Sequence, residues 1–365
     1  MKIGIVTGFS LKHSAGLEQF LMGVLEGLEA VRPEGVEYLI YTSANSDIEK
    51  ALVEHHLTSF RVIRLGFGSF WKQLGLFFAP RADAYLFNGP LVPIFFAPRR
   101  SYVITYDFAY KRERVLSLKE RMHISLMDFV SAIAFMRATR VIAISEATKR
   151  EVMRLFKTSS EKIAVVYPGV KDLSMVAEKL VSDLPATYFL FVGTAKERKN
   201  LLNLVLGFIE AVKAYNIPEH LLIVGRNDPH SSYGVHIMEA IQNSGISNRI
   251  RFLGRIDEGE LRYLYTHAMA FTFPSALEGF GMPVVEAMLL GTPVLTSNVS
   301  SLPEAAGDAA LLVAPDDIVG IADALERLNS DPTLRAELIQ KGYENAKRFS
   351  WRECAEGLLE VVCTP

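Results

Sequence analysis

The chain has 365 residues, of which 50% are hydrophobic and 22% are charged, and this length and composition suit a folded protein of two ordinary domains. A formal net charge of −2 and the lack of a basic tail in the sequence exclude a general nucleic-acid-binding function. The two cysteines, Cys354 and Cys363, have no zinc-ligand spacing and are typical of a reducing compartment.

The first residues, from Met1 to Phe9, are typical of a strand followed by a glycine turn. Their apolar run is too short for a signal peptide. The sequence has no run of 18 uncharged apolar residues, so no transmembrane helix is predicted. We therefore expect a cytoplasmic protein, and peripheral contact with the inner face of a membrane stays open.

Short apolar runs alternate with longer helical patterns along the chain. A first series of predicted strands covers residues 2–6, 37–41, 60–65, 84–87, 102–105, 141–144 and 163–166. A second series covers residues 188–192, 220–224, 250–252, 270–273, 294–296 and 310–313. Most runs are followed by glycine or polar residues and then by a helix-period segment, as in parallel sheets with helical crossovers. The predicted fold class is α/β, with two Rossmann-like doubly wound domains.

A polar stretch separates the two series of strands. We therefore predict a first domain over residues 1–168, a linker over 169–185 and a second domain over 186–348. Ligands of doubly wound sheets bind at the carboxyl ends of the strands. Two such domains that face each other across a cleft would clamp a substrate.

The most informative segment runs from Pro274 to Val294. Its second half predicts a short helix, because Pro283 suits a helix start and Gly291 suits the position after a helix end. Glu286 is the only charged residue of this apolar helix, and a buried carboxylate without partners costs much free energy. Glu286 therefore either faces polar ligand groups or is protonated.

Two glycines, Gly279 and Gly281, precede this helix and would leave backbone amides open to anions or sugar oxygens. Glu278 lies eight positions before Glu286, and two carboxylates that flank donor amides suit a sugar carrying a phosphate. The alternative is that Glu286 is a first-turn acid stabilised by the helix dipole and that the glycines only form a turn.

A second candidate segment runs from Val192 to Asn200 and joins a strand to a helix that Asn200 is predicted to cap. Three basic side chains between positions 196 and 199, among them Arg198 and Lys199, crowd the helix N-terminus and oppose its dipole. A bound anion would remove that conflict. The alternative is that these side chains point into water, with Glu197 screening them.

Both segments resemble motifs of the retaining glycosyltransferases of family 4, also called glycosyl transferases group 1, which have the GT-B fold. Residues 278–288 and 291–294 are similar to the E-x7-E signature, and the stretch 192–200 is similar to the Gly-Thr-x-x-x-Arg-Lys-Asn motif. The resemblance is strong over residues 186–355 and weaker in the N-terminal half. It implies an acceptor-side first domain, a donor-binding second domain and a C-terminal helix, residues 349–365, that packs back on the first domain.

The resemblance also implies roles for individual residues of the second domain. Glu286 would bind the ribose of the donor nucleotide, and Glu278 would bind hydroxyls of the donor sugar. Arg198 and Lys199 would neutralise the departing diphosphate. Many family members have arginine where this chain has Thr194, so phosphate binding depends more on these two cations. The other predicted donor-binding residues of this domain are Gly193, Thr194, Gly225, Gly254, Arg255, Gly279, Phe280, Gly281 and Met282.

The N-terminal half carries further candidates. The loop from Gly8 to Gly16 resembles the family's first-strand loop, which usually ends in Gly-Gly, so amides near Gly16 would meet the diphosphate. Many related enzymes have a histidine that faces the donor sugar where this chain has Tyr106, and a phenol carries no charge near neutral pH. Asp107 would accept a hydrogen bond from the acceptor hydroxyl, or it only caps local amides. Ser145 is predicted to cap a helix.

The implied function is transfer of a hexose from a nucleotide diphosphate sugar to a hydroxyl of a glycan, a lipid-linked or a small-molecule acceptor. The motif wording favours GDP-mannose over UDP-glucose. The predicted catalytic residues are Glu278, Arg198, Lys199 and Asp107. No metal cofactor is expected, because the sequence lacks the Asp-x-Asp of metal-dependent transferases, and the net charge of −2 gives no reason to expect a nucleic-acid partner. A nucleotide-sugar 2-epimerase and a non-catalytic scaffold of the same fold remain as alternatives.

Basic residues cluster at positions 99–100, 111–114 and 119–121, and aromatic residues at 67–78. Basic and aromatic surface together suit contact with an anionic membrane. The alternative is that the aromatic side chains are buried and the charged face is solvated.

Overall fold

A computed structural model of the chain describes residues 1–8, 15–68, 71–90, 92–93, 98–111 and 118–364. The chain divides into two compact units, the first formed by Met1–Gly169 with Phe349–Pro365 and the second by Val170–Arg348. Most of the predicted first-strand loop, at positions 9–14, lies outside the described residues, as do Phe70 and the basic residues at 112 and 114.

The first unit contains a parallel sheet that has seven strands within the described ranges. These strands are β1 Lys2–Val6, β2 Glu37–Ser43, β3 Phe60–Leu65, β4 Ala84–Asn88, β5 Ser101–Thr105, β6 Arg140–Ala143 and β7 Ile163–Val165. The helices between them are α1 Ala15–Val31, α2 Ile48–Glu54, α3 Leu76–Phe78, α4 Leu118–Arg137 and α5 Glu146–Phe156. The strand order is β3-β2-β1-β4-β5-β6-β7. The chain adds strands on one side of β1 and then, from β4 onward, on the other side, and doubly wound sheets bind ligands at this change between β1 and β4.

The second unit contains a parallel sheet of six strands, with the order β10-β9-β8-β11-β12-β13. Its strands are β8 Tyr188–Val192, β9 His220–Val224, β10 Ile250–Gly254, β11 Ala270–Phe273, β12 Val294–Ser297 and β13 Ala310–Val313. Its helices are α6 Leu201–Tyr215, α7 Ser232–Gln242, α8 Glu258–Thr266, α9 Met282–Leu289, α10 Leu302–Ala306, α11 Ile318–Ser330 and α12 Pro332–Ala346.

The central strands are buried on both faces. Phe189, Leu190 and Phe191 are consecutive in β8, and all three have no exposed surface. Consecutive strand residues point to opposite faces, so helices must cover both sides of the sheet. This burial explains why the strands appear in the sequence as short continuous apolar runs. The prediction of two Rossmann-like doubly wound domains is confirmed, and every predicted strand is present with its ends within two residues of the prediction.

The last helix, α13 Trp351–Cys363, belongs to the first unit. The indole ring of Trp351 lies edge-on to the ring of Phe20 in α1, with 5.6 Å between the ring centroids. At the other end of α13, the Arg100 guanidinium donates a hydrogen bond of 2.7 Å to the carbonyl oxygen of Val362. The chain therefore returns to complete the core of the unit in which it began.

Two further sequence predictions concern the state of the cysteines and the presence of membrane-spanning helices. Cys354 is buried and Cys363 is exposed, and both are free thiols, as predicted. In the part of the chain that the structure describes, no helix is both long enough and apolar enough to cross a bilayer.

Candidate active site

Three glycines lie side by side at the carboxyl edge of the second sheet. Gly193 follows β8, Gly225 follows β9 and Gly254 ends β10. The Gly193 amide donates to the Val224 carbonyl at 2.8 Å, and the Gly225 amide donates to the Gly254 carbonyl at 2.9 Å. Gly225 has a φ of +138°, and a Cβ there would lie 2.0 Å from the Gly193 oxygen, so only glycine fits. The predicted donor-binding glycines of these strands thus form one stretch of bare backbone.

The loop after β8 passes from this edge into α6. Thr194 is exposed, and so is Arg255 beside the end of β10. Asn200 has a left-handed backbone conformation with a φ of +58°, and its side chain makes no cap hydrogen bond. The predicted capping role is therefore wrong. Its side-chain amide instead donates to the carbonyl oxygen of Pro274 at 2.9 Å and to that of Pro315 at 2.5 Å, which connects the loop to residues that follow β11 and β13.

The two cations of this loop contact Glu278. Lys199 Nζ lies 2.8 Å from Glu278 Oε1, and Arg198 Nη1 lies 3.2 Å from Oε2. The Glu278 side chain is only 9% exposed, and those of Lys199 and Arg198 are 13% and 28% exposed. The sequence suggested separate tasks for these residues, but the structure brings them into one charged cluster. The carboxylate supplies the anion that the crowded cations require.

Serine hydroxyls hold Glu278 in place. Ser275 Oγ donates to Glu278 Oε1 at 2.6 Å, and Ser300 Oγ donates to the Glu278 carbonyl at 2.7 Å. Ser301 Oγ lies 2.9 Å from the carbonyl oxygens of Glu278 and Phe280. Ser275 follows β11, and Ser300 and Ser301 follow β12, so residues after two strands fix the position of Glu278. Sequence reasoning assigned no role to these serines, and for Ser300 no local pattern marks a contact with a residue 22 positions away.

Lys199 also contacts an aromatic ring. Its Nζ lies 4.7 Å from the centroid of the Phe273 ring, at the end of β11. A cation over a ring face is stabilised by the electrostatics of the ring and by its packing. The main chain is held as well, because the Arg198 carbonyl accepts a hydrogen bond of 2.8 Å from the Ala276 amide, and Ser275 Oγ lies 2.7 Å from the same oxygen. Contacts of the Lys199 side chain and of the Arg198 main chain therefore hold the two cationic residues in position.

The helix α9 matches the sequence prediction closely. Pro283 lies in its first turn, and Gly291, with a φ of +71°, follows its last turn. Gly281 precedes the helix with a φ of +109°, and a Cβ there would lie 2.7 Å from the Leu302 side chain. Gly281 occupies the N-cap position and, as a glycine, has no side chain that could cap the helix. The side chain of Phe280 beside it is buried. The backbone of residues 279–282 leads into the N-terminal end of α9.

Glu286 lies in the middle of α9 and is buried, 9% exposed. The Tyr265 hydroxyl in α8 donates a hydrogen bond of 3.4 Å to Glu286 Oε2. Burial, and then the nearby Glu286 carboxylate, raise the pKa of Tyr265 well above its usual value. Tyr265 therefore stays protonated at neutral pH and serves as a hydrogen-bond donor to the carboxylate. Sequence reasoning did not identify this partner.

Replacing Glu286 by glutamine is expected to weaken the binding of free nucleotide by about 1–3 kcal/mol, the value of a hydrogen bond to a charged group. The amide keeps the shape of the side chain but turns one acceptor oxygen into a donor. Isothermal titration of nucleoside diphosphates into both proteins measures the difference. Glu239→Gln, at an exposed position of α7, is the matched control. Equal affinity in all three proteins would show that Glu286 is only a structural carboxylate.

In the first unit, Tyr106 and Asp107 follow β5. The Tyr106 hydroxyl donates to Asn88 Oδ1 at the end of β4, and its ring lies edge-on to Phe20 with 5.0 Å between centroids. Burial raises the pKa of Tyr106 well above its usual value, so the phenol is neutral. Asp107 is partly buried beside it. Asn88 was not singled out from the sequence.

Ser145 and Gly16 are two other candidate residues of the first unit. Ser145 accepts a hydrogen bond of 3.0 Å from the Thr148 amide, which confirms the predicted helix cap of α5. The Thr148 hydroxyl in turn donates to the Tyr106 carbonyl at 2.7 Å. Gly16 is exposed in the first turn of α1, and a Cβ there would meet no atom within 4 Å.

Across the described ranges, no three His, Cys, Asp or Glu side chains are grouped to hold a metal ion.

The chain matches two protein-family models in succession. Residues 15–172 match the family described as Glycosyltransferase Family 4, and residues 176–345 match the family described as Glycosyl transferases group 1. Together with the two parallel-sheet units, these matches define the class of the protein. The chain belongs to the family 4 glycosyltransferases with the GT-B fold, and it is a glycosyltransferase enzyme.

Named relatives agree with this assignment. The chain is 26% identical over 286 residues to O-antigen chain mannosyltransferase B of Escherichia coli, covering 74% of this chain and 72% of the relative. It is 30% identical over 213 residues to O-antigen chain mannosyltransferase RfbU of Salmonella typhimurium, covering 55% of this chain and 57% of the relative. The crystal structure of HepE from Anabaena in complex with UDP superposes with a TM-score of 0.77 at 19% identity over 100% of both chains, a likeness of fold.

Proposed function

We propose that this enzyme is a retaining, metal-independent hexosyltransferase that uses a nucleotide diphosphate sugar as its donor. The acceptor is a hydroxyl of a glycan, of a lipid-linked sugar or of a small molecule. The observation that carries the proposal is the cluster of Arg198, Lys199 and Glu278 beside the bare glycine edge of the second sheet. Two cations held beside glycine backbone that carries no side chains suit a diphosphate attached to a sugar.

In the proposed reaction, the bond between the anomeric carbon and the diphosphate oxygen breaks, and its electron pair stays on the diphosphate. Arg198 and Lys199 stabilise that charge, which grows only as the bond breaks. The acceptor oxygen forms the new bond on the same face of the sugar, and its proton passes to the departing diphosphate. Glu278 binds hydroxyls of the sugar, and Glu286 binds the ribose.

Residues of the first unit have proposed roles with the acceptor and the sugar. Asp107 accepts a hydrogen bond from the acceptor hydroxyl and orients its oxygen. Tyr106 is a neutral phenol, so it contributes hydrogen bonds where a histidine would add a charge. Its contact with Asn88 keeps the ring in one orientation. The amides near Gly16, at the start of α1, are proposed to meet the diphosphate.

The cations lead to an expectation about chelators. Transfer activity is expected to survive EDTA, because Arg198 and Lys199 take the part that a metal ion plays at the diphosphate in metal-dependent transferases. The measurement is the transfer rate before and after chelation, with a manganese-dependent glycosyltransferase as the assay control. Complete loss of activity that manganese or magnesium restores would contradict the proposed charge stabilisation.

The names of two relatives, both mannosyltransferases, support mannose as the transferred sugar, and we propose GDP-mannose as its donor. A thermal-shift screen against GDP, UDP and ADP tests the base, since a ligand that binds only the folded state raises its apparent stability. Incubation with the donor alone, and then with candidate acceptors, tests the reaction. Glycosylated acceptor supports the proposal, whereas a 2-epimerised donor sugar formed without acceptor would replace it.

A further inference from the structure

A stripe of apolar side chains runs along the outside of α4 in the first unit. Leu126 is 58% exposed, Phe129 is 60% exposed and Met122 is 66% exposed. The exposed members of the stripe, with spacings of three, four and seven residues, are Leu118, Met122, Leu126, Phe129 and Met136. Residues with these spacings share one face of a helix. A helix of this length extends over about 30 Å, so the stripe is a continuous apolar surface.

The stripe lies on the side of α4 that does not pack against the unit. The packed side carries the buried residues Ser131, Ala134 and Phe135. Asp128 also belongs to that side, where it contacts Lys111 Nζ at 2.7 Å and the Tyr110 hydroxyl at 2.9 Å. At 100° per residue, the centre of the stripe is roughly opposite the centre of the packed side. The core of the unit therefore does not require these exposed apolar side chains.

The sequence segment that contains α4 has a positive net charge. Residues 99–140 contain nine lysines and arginines against four aspartates and glutamates, whereas the whole chain has a net charge of −2. On α4 itself, Lys119 and Arg137 flank one border of the stripe, and Arg121 lies beyond the other. Long basic side chains at the border of an apolar helix face can reach the headgroups while the apolar side chains enter the lipid.

We propose that this α4 stripe docks the enzyme on an anionic phospholipid bilayer, with the helix lying in the plane of the interface. The apolar side chains insert at the boundary between the headgroups and the acyl chains, and the basic side chains are attracted to anionic headgroups. Self-association through the same face is disfavoured, because it would bring two positively charged segments together. The inference goes beyond the sugar-transfer function, and its test needs neither donor nor acceptor.

The test is co-sedimentation of the full chain with vesicles of phosphatidylglycerol and phosphatidylcholine, and with vesicles of phosphatidylcholine alone. The parent protein is expected to pellet with the anionic vesicles and to dissociate as salt is raised. Leu126→Gln/Phe129→Gln is expected to lower the partition coefficient roughly tenfold or more, because two large apolar side chains no longer enter the lipid. Lys119→Glu/Arg121→Glu is expected to abolish the preference for anionic vesicles.

The matched control is Val53→Gln/Val319→Gln, which also replaces two exposed apolar side chains by glutamine, here on α2 and α11. It is expected to pellet like the parent, and all variants should keep the parent's thermal unfolding midpoint. The proposal is overturned if the parent does not pellet with anionic vesicles, or if the α4 variants bind these vesicles as strongly as the parent does. It is also overturned if light scattering shows a dimer that Leu126→Gln/Phe129→Gln converts to monomer, because the stripe would then bind a second copy.

Discussion

Lys199→Ala is expected to slow sugar transfer by about a hundredfold or more, the usual cost of removing one preorganised group that stabilises transition-state charge. It should also weaken nucleoside diphosphate binding by on the order of tenfold, since a charge-assisted hydrogen bond is lost. In the free enzyme, Lys199 is 2.8 Å from Glu278 and 4.7 Å from the centre of the Phe273 ring. The ammonium is therefore held in place before the donor arrives. Titration calorimetry and initial rates measure the two effects.

The matched control for Lys199→Ala is Lys196→Ala, which removes the same charge from an exposed position of the same loop. That variant is expected to retain nearly the parent's affinity and rate. If both variants lose the same amount, the effect of Lys199 is only a change of net charge. If Lys199→Ala keeps the parent's diphosphate affinity, the assignment of Lys199 to the diphosphate is wrong.

Glu278→Gln is expected to separate transfer from nucleotide binding. The variant should slow transfer by about a hundredfold, because a hydrogen-bond acceptor for the sugar becomes a neutral amide beside two cations. Free nucleoside diphosphate carries no hexose, so its binding should not weaken. It should even tighten, because the carboxylate that now neutralises Arg198 and Lys199 no longer competes with the phosphates.

The control for this variant is Glu197→Gln, which neutralises an exposed acid next to Arg198 in the same loop. It is expected to transfer sugar at close to the parent's rate. A Glu278→Gln protein that binds diphosphate much more weakly than the parent would contradict the account. In that case, the main task of the carboxylate is to hold the cations in position, not to bind the sugar.

Much of the fold was predictable because its signals are local. Parallel strands buried on both faces produce short apolar runs such as residues 188–192, and glycines or polar residues follow them where the chain turns. The helix α9 was predictable for a similar reason, since Pro283 near its start and Gly291 after its end are backbone requirements that do not depend on distant residues.

The contacts inside the candidate site were not predictable in the same way. Arg198 and Glu278 are 80 residues apart, and they meet only because the loops after β8 and β11 leave neighbouring strands at the same edge. The Asn200 cap was wrong for a related reason. An asparagine before a helix favours capping, but here two carbonyls from distant loops bind its amide instead. The contact of Tyr106 with Asn88 also joins two strand ends that local patterns do not connect.

In the proposed function, Arg198 and Lys199 bind the diphosphate of the donor. The most direct test compares the affinity of the preferred nucleoside diphosphate with that of its monophosphate, in the parent and in Lys199→Ala. The parent is expected to prefer the diphosphate by on the order of tenfold or more, and most of this preference is expected to disappear in the variant. An unchanged preference in Lys199→Ala would contradict the proposed binding.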